Sequence, residues 1–302
     1  MFRSAKFTEK REQKAMKLNQ KTQGILYILG AAFFFALMNL FVRLSGDVPT
    51  MQKCFFRNIV AAFGSFLLLN KSQIKIETAK LGGKNMIFLL LRSTAGLLGI
   101  ICNFYAVDHL PISDASMLNK LSPFFAIIFS AFILKEVAGI KEWGILLVAF
   151  AGAMFVVKPS LTMDFLPGLI GMVGGACAGL AYTFVRKLGQ RGVLGMIIVF
   201  FFSAFSSLVL LPNLILHYTP MSAWQWIALL LAGAAAMGGQ MCITMAYTKA
   251  PAKEISVYDY AQIVFAAILG FFVLQQIPDR YSIFGYIIIL AAAILKWKSA
   301  QK

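Results

Sequence analysis

From Gly24 onward the chain alternates long apolar runs with short polar gaps. A helix that spans a bilayer needs roughly 20 predominantly apolar residues, with about 17 to 25 tolerated. Ten runs are candidates: Gly24–Leu44, Met51–Leu69, Met86–Ala106, Ser113–Leu134, Trp143–Val157, Pro167–Phe184, Leu194–Leu216, Trp224–Tyr247, Ser256–Leu274 and Ile283–Leu295. The fifth and tenth are the shortest. The pattern predicts an all-α integral membrane protein of ten transmembrane helices, and composition agrees. Hydrophobic residues make up 60% of the 302 and charged residues 13%, far from the roughly half-apolar, one-quarter-charged balance of soluble domains.

Charge adds orientation. Lysine and arginine number 28 against 12 acidic residues, a net charge of +16. They fall mainly in the gaps between runs, so the excess sets topology and does not form a nucleic-acid face. Counted by alternate sides, 21 lie on the side of the N-terminus and 4 on the other, namely Arg43, Lys53, Lys158 and Arg280. Arg57, Arg92 and Lys120 lie within spans. Cytoplasmic loops carry the basic excess, so both termini are expected to be cytoplasmic. Residues 1–23 read as a basic cytoplasmic tail, because the run after them is too long for a signal-peptide core. The four cysteines all sit in apolar runs without metal-ligand spacing, and no cofactor pattern accompanies them.

The two halves echo one another. A shift of 140 aligns Gly99–Glu136 with Gly239–Gln276 without a gap, with identities that include Cys102, Ala106, Pro111, Ser116, Phe125 and Phe132. At a shift of 143, Phe41-Val42-Arg43 meets Phe184-Val185-Arg186. The chain therefore divides into five-span units over residues 24–158 and 167–296, followed by a short tail over 297–302. An odd number of spans forces the second unit to insert upside down relative to the first. Inverted repeats of this kind underlie alternating access, with the solute near the midplane where the halves meet.

Leu91-Arg92, Gly96, Phe104-Tyr105-Ala106, Leu110-Pro111, Asp114-Ala115, Leu118, Pro123 and Leu134 to Glu136 resemble the third and fourth helices of the drug/metabolite transporter superfamily, in its ten-helix EamA-type branch. Arg57 is similar to an arginine common in that family's second helix. Lys135, and Gln275-Gln276 in the second half, depart from the pattern where a small residue and a glutamate are usual. The resemblance implies that helices one, three, four, six, eight and nine surround a central cavity, with five and ten peripheral. It also implies a carrier for metabolites, since members move amino acids, S-adenosylmethionine, nucleotide precursors, amines and drugs. A multi-pass protein of the cell membrane, the bacterial cytoplasmic membrane, is expected.

Polar residues inside spans are the candidate chemistry, because each is costly there. Ser116, Asn119 and Ser122 recur every three residues on the fourth span, and Ser256, Asp259 and Gln262 recur at the same shift on the ninth. These matched stripes are read as facing the cavity, with Asp259 as the central charge and Tyr258 and Tyr260 beside it. The alternative is that they only join helices through hydrogen bonds. Lys120, opposite Tyr260 in the repeat, is placed to pair with Asp259. A pair that opens to solute favours a zwitterion such as an amino acid, whereas an unpaired Asp259 among tyrosines favours a cationic amine. Asn39, Tyr182, Asn103, Tyr105 and Gln240 complete the six-helix set. Arg57, outside that set, is expected to make a structural pairing, and Arg92 to snorkel to the interface. Pro123, inside the fourth span, should bend it and is a candidate hinge.

The partners implied are membrane lipid and a small-molecule solute. Proton coupling stays open, as does the choice between monomer and homodimer. An embedded enzyme finds little support, because His109 and His217 are the only histidines and no nucleophile and base accompany them. A channel would need a ring of lining groups.

Overall fold

The computed structural model describes residues 2–71, 82–109, 118–157, 165–275 and 277–301, with side chains from residue 20 onward except those of 104, 107, 108, 300 and 301. Pro111, Asp114, Ser116, Lys75, Lys80, Lys158 and Gln276 lie outside the described residues. Among those described there are helices and no strands. They are α1 (Phe2–Leu44), α2 (Thr50–Lys71), α3 (Lys84–His109), α4 (Ser122–Leu134), α5 (Ile140–Val157), α6 (Phe165–Gln190), α7 (Gly195–Leu216), α8 (Ala223–Lys249), α9 (Ala252–Leu274) and α10 (Arg280–Gln301). Seven of them, α1, α3 and α6 to α10, are long and apolar enough to cross a membrane. The shorter α4, together with α2 and α5, brings the set to the ten expected.

Several boundaries differ from the sequence reading. The basic stretch before Gly24 is helical and continuous with the first span, because α1 runs unbroken from Phe2. Its alanines, lysines, glutamines and glutamates are strong helix formers and simply prolong the apolar helix. α5 and α10 likewise extend beyond their apolar runs, to 18 and 22 residues, by taking in polar ends.

Packing follows a twofold pattern. α1 lies along α8, and its counterpart α6 lies along α3; α4 packs on α6, and α9 packs on α1. α2 meets α7 and α5 meets α10, each helix facing its own repeat partner. The ends of α4 and α9 repeat the symmetry at the level of dihedrals. Each ends in a left-handed residue, Lys135 (φ 59°) or Gln275 (φ 53°), 140 positions apart, that turns the chain back as such helix caps do.

In lipid there is little hydrophobic force between helices, so close backbone approach supplies the cohesion. Gly99 and Gly174 face each other across α3 and α6, where a Cβ on Gly174 would lie 3.1 Å from the Asn103 backbone nitrogen. On Gly179 it would lie 2.7 Å from the Ala126 nitrogen of α4. The outer surface is apolar in the manner of a lipid-facing wall: Phe63, Phe132, Leu216 and Phe272 are all more than half exposed. No soluble fold would leave such a belt open.

Gly179→Val should clash with α4 backbone that cannot move aside, lowering stability by about 1–3 kcal/mol. Gly144→Ala, which points into open space, should be nearly neutral. Melting of the two purified variants in detergent checks the contrast.

Candidate functional site

Both α4 and α9 are interrupted near the middle of the bundle. On the α9 side Ser256–Tyr260 forms a 3₁₀ segment between Ala252–Ile255 and Ala261–Leu274. On the α4 side a turn at Lys120 and Leu121 separates the helical residues Leu118 and Asn119 from the helix that begins at Ser122. Pro123 thus sits in the first turn of α4, where its missing N–H costs nothing, and does not kink an unbroken helix. Interrupted helices free backbone groups that bilayer cannot satisfy, so the protein must.

The two breaks satisfy one another. The Tyr260 hydroxyl donates to the Lys120 carbonyl at 2.9 Å, and Lys120 Nζ reaches the Asp259 carbonyl at 3.4 Å. Lys120 Nζ also lies 3.2 Å from Asp259 Oδ2 and 2.8 Å from Gln262 Oε1. Both side chains of the ion pair are only 9% exposed. Lys120 pairs with Asp259 as the repeat position suggests, and three acceptors surround its charge.

This knot forms one wall of a cavity of about 180 Å³ at the junction of the halves. Asn39, Asn103, Asn119, Ser122, Tyr182, Gln240 and Gln262 line it with Lys120 and Asp259, so nine of the candidate residues converge there. Three others do not. Tyr105 stacks on His109, Tyr258 is buried with its hydroxyl unpartnered, and Tyr260 is fully buried beneath the knot. In a 3₁₀ segment successive residues turn by a third of a circle, so Tyr258 and Tyr260 cannot share the face of Asp259. Ser256 supports the wall indirectly: its hydroxyl meets Tyr247 at 3.3 Å, and Tyr247 stacks on Tyr182 with ring centroids 4.9 Å apart.

The cavity also holds residues read differently from the sequence. Among the described residues Arg57 has no ion-pair partner, and Arg92 is buried within the bundle and does not snorkel; both line the cavity, 7% and 2% exposed. Arg57 Nε donates to the Met38 sulfur at 3.1 Å. Arg92 Nη2 donates to Gln240 Oε1 at 3.0 Å, and its guanidinium lies 3.7 Å from the centre of the Phe202 ring, a cation–π contact. Each arginine costs roughly 2.5 to 3.5 kcal/mol on insertion scales, and that intramembrane cost was the signal available in the sequence. α5 and α10 contribute nothing to the lining.

At the end of the bundle carrying Lys21, ion pairs tie the helices together. Arg186 grips Glu136 Oε1 from Nε and Nη2 at 3.1 and 3.0 Å, Lys21 pairs with Glu254, and Lys296 pairs with Glu142. At the opposite end Gln52 and the Thr219 backbone bond reciprocally, Trp224 Nε1 donates to the Leu44 carbonyl, and Lys53 Nζ donates to the Gly46 carbonyl. Among the described residues no cluster suited to a metal ion occurs.

Comparison with known proteins agrees with this architecture. A profile of the EamA-like transporter family matches residues 22–158 and again 166–297. The chain is 32% identical over 282 residues to the pseudopaline exporter CntI of Pseudomonas aeruginosa, covering 92% of this chain and 97% of the exporter. It is 26% identical to human solute carrier family 35 member G1, over 92% and 81% of the two chains. It is 24% identical to the S-adenosylmethionine uptake transporter of Rickettsia prowazekii, over 70% and 72%. A protein crystal structure only 15% identical superposes with a TM-score of 0.82 over 93% of this chain and 99% of its own.

Removing one partner of a buried pair strands the other, so Lys120→Met should lower stability by about 3 kcal/mol. Adding Asp259→Leu should restore much of that loss. Thermal denaturation of both single variants and the double variant completes the cycle, and additive losses would show that the pair is not coupled.

Proposed function

The chain belongs to the EamA-like transporter family, and on that premise we propose that it is a secondary carrier for a small polar metabolite, an amino acid or related zwitterion, working by alternating access. Its relatives are transporters, and a multi-pass membrane protein with no enzyme constellation fits the same role. The observation that carries the proposal is the polar cavity at the junction of the two halves, with Lys120, Asp259, Gln262 and Gln240 among its lining residues. Groups of both signs there match a solute with both signs. A purely cationic solute is the poorer fit, because Lys120 already occupies Asp259.

Rocking of one five-helix half against the other would expose this cavity to each side in turn, with the interrupted α4 and α9 and Pro123 as the bending region. The ion-paired end would part in one state and the opposite end in the other. The distribution of Lys and Arg, 21 against 4, supports placing both termini and the ion-paired end in the cytoplasm. The cytoplasmic membrane is the corresponding location.

Proteoliposomes preloaded with a mixture of unlabelled amino acids should show saturable counterflow of labelled ones, whereas flux that rises linearly with concentration would indicate a pore. Asp259→Asn keeps an oxygen for Lys120 and should fold, yet slow transport roughly tenfold or more, the worth of one charge-assisted hydrogen bond. Normal transport by that variant would remove Asp259 from the mechanism. A reporter fused to Lys302 should be active only when it folds in the cytoplasm.

A further inference from the structure

We infer that Arg57 and Arg92 form an anion subsite, and that the solute is an amino compound of net negative charge whose carboxylates bind there. The inference rests on the carrier reading above and narrows its solute class. Among the described residues lining the cavity, four are charged: Arg57, Arg92, Lys120 and Asp259. Lys120 and Asp259 neutralise each other at 3.2 Å. The two guanidiniums have no carboxylate against them, so the lining keeps a surplus of two positive charges.

The surplus is matched by unused donors. Arg57 Nη1 and both Nε and Nη1 of Arg92 are buried without a hydrogen-bond partner. The bonds the arginines do make are to neutral groups: a thioether sulfur, which accepts weakly, and an amide oxygen. An arginine kept buried only for structure would be expected to face a carboxylate or backbone carbonyls. Both arginines instead line a space large enough for a small molecule, with these nitrogens covered in its wall, and a carboxylate offers about four lone-pair sites to such donors.

The surroundings hold the subsite in shape. The Phe202 ring covers one face of the Arg92 guanidinium, and Gln240 takes its Nη2. Gly96 lets that guanidinium lie against α3: a Cβ there would fall 3.1 Å from Arg92 Nη1 and 2.9 Å from Phe202 Cε2. A phosphate could use the same donors, but it brings no cation for the amide oxygens of Asn39, Asn103 and Asn119 on the same lining. A ligand with a cation at its other end satisfies both regions, its carboxylates on the arginines and its ammonium toward those amide oxygens.

Thermal shift of the full-length protein, at constant ionic strength, with glutamate, iminodiacetate, glutamine, lysine and inorganic phosphate as probes tests the inference. Glutamate and iminodiacetate should raise Tm at lower concentration than the other three. Arg57→Gln and Arg92→Gln should each weaken that response roughly tenfold or more, with Arg92→Lys intermediate. Without ligand, both glutamine variants should melt no lower than the parent protein, since each removes an unpaired buried charge. A clear loss of stability would mark the arginine as structural and overturn the subsite. So would an equal response to glutamine or lysine, a response to phosphate alone, no response to either carboxylate, or a full response in the arginine variants. The carrier reading is judged separately in proteoliposomes. Saturable glutamine flux with no preference for glutamate would leave the carrier standing and remove the subsite. Linear flux through a protein that glutamate still stabilises would do the reverse.

Discussion

The mutual satisfaction of two interrupted helices governs the rest of the molecule. A bilayer offers no water to a freed carbonyl or a charge, so a break in the middle of a spanning helix survives only if protein groups complete it. Here the break before α4 and the break within α9 complete one another through Tyr260, Lys120, Asp259 and Gln262. Residues 120 and 260 are repeat equivalents, so the brace crosses the junction of the halves close to their common axis. One pair of symmetry-related positions therefore joins the halves and places an ion pair where a solute would bind.

Around that knot the helices are held mainly by shape. Close approach of α3 to α6 and of α6 to α4 depends on Gly99, Gly174 and Gly179, whose missing side chains let backbones touch. Such contacts resist separation but tolerate small rotations better than interlocked large side chains do. The ends are fastened differently, by ion pairs where Lys21, Glu136 and Arg186 gather and by neutral hydrogen bonds at Gln52 and Trp224. The two repeats thus share a backbone plan while the two ends of the bundle are held by different side chains.

The charge balance in the cavity bears on the solute more than any single residue. Lys120 and Asp259 are the more conspicuous pair, yet they largely answer each other. Arg57 and Arg92 remain, with N–H groups that no acceptor among the described residues takes. Positive charge placed at depth in a membrane protein and left unneutralised is costly, and a negatively charged ligand is the natural complement.

The ten helices, the two halves and the matched stripes carrying Asn119, Ser122, Asp259 and Gln262 were legible in the chain itself. Hydrophobic run length and the 140-residue repeat are local or self-referential signals that need no knowledge of neighbours. The pairing of Lys120 with Asp259 was legible for the same reason, since an inverted repeat brings equivalent positions together. What the chain could not settle was direction around each helix axis. A charge within a span announces its depth and its cost, but whether Arg57 and Arg92 face lipid, a neighbour or the cavity depends on how eight other helices surround them. The tyrosines beside Asp259 show the same limit at closer range. Neighbours of Asp259 point about 100–120° away from it in any helix, so Tyr258 and Tyr260 lie off the cavity face, and what each meets there is set by the helices packed around it.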